Sequence, residues 1–312
     1  MAAKPKPFVI LNTKAAGGVA GRLWPWISEE LEKEIGPFDF EETQKVGHGR
    51  TLAKEAVEEG SNLIIACGGD GTIHEVANGI YEARTTEKPT LGILCLGTGG
   101  DLIKTLGISK NIPDQIKVIA SQKTKRIDLG LCEYLNEQGK KEKRVFINVA
   151  DVGLGADVCR RVAHSRSFFG RKLAYLAASL RAFASWRPKK IEIVTEHLAP
   201  GFWPETPLII AIANGRYFGG GMPIAPSANL SDGYFDLMVV GPLKAAMAPV
   251  FIPLLYSKQI LRLPQARFDR VNSILIKASE EAEVGLELDG EPVGFLPASF
   301  NNIPQAIEVL VP

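Results

Sequence analysis

The stretch Cys67-Gly68-Gly69-Asp70-Gly71-Thr72-Ile73-His74-Glu75 follows directly on the apolar run Leu63-Ile64-Ile65-Ala66, an order that reads as strand, glycine loop and helix start. A loop of that kind holds phosphate. Glycines let the backbone approach an anion closely, the N–H groups opening the next helix point at it, and the helix dipole favours negative charge there. Asp70 is the odd member, because a carboxylate in a phosphate-binding turn repels its own ligand unless a cation stands between them. The chemistry indicated is Mg2+ bridging to a nucleotide phosphate. From this segment alone a plain Asp-Gly turn closing a strand is the alternative.

Two further loops have the same placement. Asn12-Thr13-Lys14-Ala15-Ala16-Gly17-Gly18 follows a first strand, and its small residues could wrap phosphate oxygens with Lys14 nearby. Gly97-Thr98-Gly99-Gly100-Asp101 follows a strand ending at Leu96 and leads into a short helix, where Asp101 could act as a cap. Small-residue loops behind successive strands of one sheet indicate a nucleotide cleft. Later come a long apolar and glycine loop from Asn214 to Pro226, then Asn229-Leu230-Ser231-Asp232-Gly233-Tyr234-Phe235-Asp236, and last Leu288-Asp289-Gly290-Glu291-Pro292. By spacing alone that last piece is a hairpin turn.

The elements that must position these loops alternate through the first third. Strands are expected at Phe8 to Leu11, Phe38 to Thr43, Leu63 to Ala66 and Leu91 to Leu96, and helices at Arg22 to Ile35, Arg50 to Glu59, Ile73 to Tyr81 and Ile112 to Ser121. This is the pattern of a parallel sheet with helices on its faces, where ligands bind beyond the carboxyl ends of the strands. After about residue 130 the pattern changes to strands joined mainly by turns: Arg126 to Tyr134, Arg144 to Ala150, Lys190 to Glu196, Leu208 to Ala213, Phe235 to Val240, Ser273 to Ala278 and Glu283 to Leu288. The expected fold is an α/β domain over 1–130, with 303–312 returning to it through a short strand at Ile307 to Val311, and an antiparallel β-sandwich domain over 131–302.

A chain of 312 residues suits two domains that each bury a core. Hydrophobic content of 46% with 23% charged residues is ordinary for a globular protein, and 36 basic against 35 acidic side chains demand no nucleic-acid partner. Cys67, Cys95, Cys132 and Cys159 lie far apart and read as buried free thiols, which points to a reducing, cytoplasmic compartment. The apolar start, Phe8 to Leu11, is too short for a signal-peptide core. The stretch from Ala245 to Tyr256, broken by Pro249 and Pro253, falls well short of the roughly 20 residues that span a bilayer.

In order along the chain, the Asn12 loop, Thr43, Gly68 to Thr72 with Glu75 and Asn78-Gly79, Gly97-Thr98, Ile127-Asp128-Leu129-Gly130, Asn148 with Gly153, Gly219-Gly220-Gly221, Pro226, Asp232-Gly233 with Asp236, and Asp289-Gly290-Glu291 resemble the diacylglycerol kinase catalytic-domain family. That group holds bacterial lipid kinases, sphingosine kinases and ceramide kinases. Gly-Gly-Asp-Gly-Thr alone is shared with NAD kinases and phosphofructokinases; the glycine triplet, the Asp-Gly pair and the terminal Asp-Gly-Glu in this order are much more specific.

The resemblance implies an ATP-dependent kinase acting on a lipid hydroxyl, with diacylglycerol the default. Its ATP site would comprise Asn12, Thr13, Lys14, Ala15, Ala16, Thr43, Gly69, Asp70, Gly71, Thr72, Ile73, His74, Glu75 and Thr98. Glu291 would be the general base. Asp70, with Asp101 and Asp128, would hold the catalytic Mg2+, and a second, structural Mg2+ would correspond to Asn229, Asp232 and Tyr234. The chain departs from the family pattern at Gly100, where Asn is usual, at Ala15-Ala16, and at His74 in place of Asn. An NAD kinase-like enzyme and a non-enzymatic nucleotide- or lipid-binding protein are the rival readings.

A kinase acting on a lipid must rest on the bilayer. From Val158 to Ile191 no acidic residue occurs, while Arg160, Arg161, Arg166, Arg171, Lys172, Arg181, Arg187, Lys189 and Lys190 alternate with Phe168, Phe169, Tyr175, Phe183 and Trp186. Peripheral membrane docking and a core-packed helix, Arg171 to Ser185, with a basic outer face are both open. The run Met247 to Ile260 reads as a buried helix or a contact within a homodimer.

Overall fold

A computed structural model describes residues 6–163, 181–197, 201–243, 263–279 and 283–312, with positions 179, 247, 251, 254, 256 and 257. Most of the expected helix Arg171 to Ser185, the residues Arg166 to Tyr175 of the basic stretch, and most of the run Met247 to Ile260 lie outside the described residues. The apolar runs of the first third form β1 (Phe8–Leu11), α1 (Ala15–Ile35), β2 (Asp39–Glu42), α2 (His48–Glu58), β3 (Leu63–Gly68), α3 (Asp70–Glu82), β4 (Thr90–Cys95), α4 (Asp101–Leu106) and α5 (Ile112–Ser121). Their strands lie parallel in the order β4-β3-β1-β2. Apolar side chains fill both faces, Ile10, Ile64 and Ala66 packing on one side and Val9, Ile65 and Cys67 on the other, as the two-residue period of a strand requires.

The rest is chiefly antiparallel: β5 (Thr124–Leu135), β6 (Lys141–Phe146), β7 (Val149–Gly153), α6 (Leu154–Ala163), β8 (Ile191–Thr195), β9 (Ile209–Ala213), β10 (Phe235–Val240), β11 (Ala266–Val271), β12 (Ser273–Ala278), β13 (Gly285–Leu288) and β14 (Glu291–Leu310). This is an antiparallel β-sandwich-like domain on an α/β domain, the expected fold class. Two details correct the expectation. The run Arg144 to Ala150 is two strands, β6 and β7, which bond to different neighbours, and Ile307 to Val311 is the end of β14, not a separate strand. β14 pairs antiparallel with β5 from Phe295 to Leu310, and its end also lies parallel to β4 through Glu308 and Val309. One hydrogen-bonded sheet therefore runs through both domains.

Among the described residues no helix is long and apolar enough to cross a membrane. All four cysteines are free, and burial pushes the Cys67 and Cys95 thiols up to about 12, where a thiolate nucleophile is not available.

Candidate active site

The cleft is built on glycines because backbone meets backbone there. A Cβ on Gly97 would stand 2.7 Å from the Cα of Gly69, and one on Gly68 would strike the Thr72 hydroxyl. The loops after β3 and β4 are thus pressed together in a way no larger residue permits. Asp70, the first residue of α3, turns its carboxylate into the second loop, where Oδ2 accepts the Gly100 amide at 2.9 Å. The first loop joins them: Asn12 Nδ2 donates to Thr72 Oγ1 at 3.1 Å, and Asn12 Oδ1 accepts the Lys14 amide. Ala16, Gly17 and Gly18 all have positive φ, so regular helix begins only after them, near the expected start at Arg22. Thr43 sits at the end of β2 with its amide on the Leu11 carbonyl.

Asp101 begins α4 and is nearly buried; its Oδ2 accepts the Gly220 amide at 2.8 Å, linking the α/β domain to the glycine triplet of the β domain. Its Oδ1 is buried with no hydrogen-bond partner. Burial raises the Asp101 carboxyl above the ordinary range, opposed by the Gly220 amide, and the nearby Asp70 charge raises it further. Two neighbouring carboxylates with one orphaned buried oxygen fit a divalent cation that takes its other ligands from phosphate and water. Among the described residues no group of three or more His, Cys, Asp or Glu forms a closed metal cage.

Glu291 opens β14 directly after the Asp289-Gly290 turn. Both turn residues have positive φ, 53° and 88°, as the hairpin reading requires. Asp289 fixes the turn, its carboxylate accepting the amides of Ile147, Asn148 and Val149 and facing His74 Nδ1 at 2.8 Å. The outcome is that Glu291 Oε1 lies 2.6 Å from where a Cβ on Gly71 would be. The carboxylate at 291 and the Asp70 loop share one gap.

Several residues expected at the nucleotide have other work. Ile73 is buried in the apolar core. His74 is 3% exposed and spent on Asp289. Glu75 accepts the amides of Gly47 at 2.6 Å and Gly49 at 2.8 Å, so its carboxylate caps the start of α2. Asp128 is fully buried, Oδ2 accepts Gly233 N–H at 2.7 Å, Oδ1 accepts Gln305 N–H at 2.8 Å, and no hydrogen bond joins it to Asp70 or Asp101. In this arrangement it ties two loops together. In the second expected metal set, Asn229 Oδ1 accepts the Ser231 hydroxyl, while Asp232 accepts its own Tyr234 amide and the Arg270 guanidinium.

Sequence reasoning missed three cationic contacts. Lys110 Nζ donates to the Gly99 carbonyl at 2.7 Å and is drawn to the Thr98 carbonyl, bracing the loop that carries the exposed Thr98. Lys104 Nζ stands 3.8 Å above the Tyr217 ring, close to the glycine triplet. Arg270 is the third. A lysine three residues after Asp101 could have been placed on the cleft side of α4; Lys110 and Arg270 carry no motif.

Two family models match this chain: the diacylglycerol kinase catalytic domain over residues 6–132 and the YegS C-terminal NAD kinase beta sandwich-like domain over residues 148–311. The chain belongs to the diacylglycerol kinase catalytic-domain family. It is 32% identical over 274 residues to a diacylglycerol kinase of Bacillus subtilis (strain 168), covering 86% of this chain and 84% of that protein. It is 27% identical over 304 residues to one from Staphylococcus carnosus (strain TM300), covering 97% and 94%. In fold it is similar to a diacylglycerol kinase crystal structure from Bacillus anthracis str. Sterne, with a TM-score of 0.71 at 20% identity over 98% and 97% of the two chains. It is also similar to yeast NADH kinase complexed with NADH, with a TM-score of 0.52 at 13% identity over 100% and 84%. Diacylglycerol kinase-family membership makes this a kinase-type enzyme, and a kinase draws its phosphoryl group from a nucleotide.

Proposed function

We propose that this chain transfers the γ-phosphoryl group of ATP to the hydroxyl of a membrane lipid, with diacylglycerol the first acceptor to test. The observation that carries the reading is the Glu291 carboxylate against Gly71, beside Asp70. There Glu291 takes the proton of the lipid hydroxyl as that oxygen bonds to the γ-phosphorus, while the bond from phosphorus to the departing ADP oxygen breaks. Asp70 and Asp101 would hold Mg2+, which neutralises charge on the transferring group when bound. The Gly68-Gly69 and Gly97 to Gly99 backbones, with Asn12 holding Thr72, keep room and N–H donors for the phosphates.

The described part of the basic stretch supports docking on an anionic bilayer. Arg160, Arg161, Arg187 and Lys189 line one cavity with Trp186 and outnumber the two acidic residues there, Asp157 and Glu283, although Asp157 and Ser185 already hold Arg161.

The test is labelled ATP with Mg2+ and lipid vesicles, first of diacylglycerol and then of a total lipid extract. Labelled phospholipid is expected, and Glu291→Gln should lower kcat by about 10²–10⁴-fold with ATP binding retained. Full activity in Glu291→Gln, the outcome for an enzyme using Asp70 alone at the hydroxyl, would reject the assignment.

A further inference from the structure

The loop 229–234 and the strand after it bring together two acidic groups, Asp232 and Asp236. Asp236 stands directly opposite Arg270 in the antiparallel β10–β11 pair, so backbone register puts a guanidinium beside that carboxylate. Arg270 reaches on to Asp232, whose Oδ2 it holds, and its guanidinium carbon lies 4.9 Å above the Tyr234 ring. Asp232 Oδ1 takes the Tyr234 amide, and the Gly233 amide goes to Asp128. The side-chain oxygens that a divalent ion would need at this loop, Asn229 Oδ1 and both oxygens of Asp232, each have a partner from the chain itself. A guanidinium matches a carboxylate in shape and charge and stacks on an aromatic face, whereas a hydrated divalent ion would need those same oxygens free.

We propose that Arg270 is the resident cation of this acidic loop, so that the segment 229–234 keeps its shape without a divalent ion. Its side chain does covalently what a bound metal would do by mass action. The neutralising charge is then never lost to chelation.

Thermal unfolding of the nucleotide-free full chain tests this, read as the change in Tm between EDTA and about 10 mM Mg2+, a concentration well above the range of a tight site. Comparing each protein with its Asp232→Asn counterpart removes any contribution from Asp70 and Asp101. The wild type should show no Asp232-dependent Mg2+ response. Arg270→Met, which keeps the stem over Tyr234 and removes the charge, should lower Tm in EDTA by about 2–4 °C and regain it in Mg2+. Arg270→Met with Asp232→Asn should show no Mg2+ response beyond that of Asp232→Asn alone. An Asp232-dependent response in the wild type, or none in Arg270→Met, overturns the proposal. Should Arg270→Met fail to fold, terbium emission excited through tyrosine decides on the wild type: emission that Asp232→Asn abolishes counts against Arg270, and its absence supports it.

Discussion

His74 and Asp289 share a 2.8 Å hydrogen bond across 215 residues of sequence, joining the helix of the glycine loop to the turn that carries Glu291. Both side chains are almost wholly buried, so water does not compete for the contact. The bond sets where Glu291 stands relative to Asp70 without touching a substrate. His74→Ala should lower kcat by about 10–100-fold, the scale of a reacting group displaced by an ångström or less, and leave the KM for ATP nearly unchanged. His74→Gln, able to bond Asp289, should recover part of the loss. An unaltered kcat in His74→Ala would show that the turn holds itself.

Two glycines of the cleft should fail differently when a methyl group is added. At Gly71 the obstacle is Glu291 Oε1, the far end of a side chain that can swing away. Gly71→Ala should keep its Tm and lose kcat, by about 10²-fold for a base moved by an ångström. At Gly97 the obstacle is the Cα of Gly69, which cannot swing. Gly97→Ala should raise the KM for ATP and lower Tm together. Steady-state kinetics with thermal unfolding of both variants separates the cases, and equal Tm losses would contradict the assigned contacts.

Asp151 and Glu287 are cross-strand partners in β7 and β13, both fully buried, and Asp151 Oδ2 has no hydrogen-bond partner. Burial raises both carboxyls well above the ordinary carboxylate range, and the Asp151 charge adds to the rise of Glu287. The folded state therefore keeps protons that the unfolded chain releases above about pH 4, so stability should fall as pH climbs towards the folded values. Urea midpoints should drop between about pH 5 and pH 8, and Asp151→Asn and Glu287→Gln, neutral at every pH, should flatten that slope. A slope unchanged in both variants would place the lost protons elsewhere.

Periodicity read the scaffold well where strands are buried on both faces. The helix Ile112 to Ser121 and the strands Phe235 to Val240 and Ser273 to Ala278 have the bounds the sequence indicates. β11 escaped because Ala266–Val271, at the sheet edge, breaks alternation at the adjacent charges Asp269 and Arg270 and is rich in arginine and aspartate. The glycine loops and Glu291 were legible because glycine in that spacing has a steric meaning. The assignments of Ile73, His74, Glu75 and Asp128 were carried by motif position alone, and motif position does not say which way a side chain points. On α3 those neighbours fan out to the core, the domain junction and α2, as a turn of 3.6 residues demands.

The chain leaves the nucleotide half along β5 and comes back along the end of β14, and the two lie antiparallel for most of their length. That makes the molecule a closed circuit, not two beads on a string. A double crossing of hydrogen-bonded strands is stiff in its own plane, so the spine holds the two halves at one spacing, within which the His74–Asp289 bond places Glu291 relative to Asp70. Traffic of substrate and product must then be governed by the loops that rim the gap.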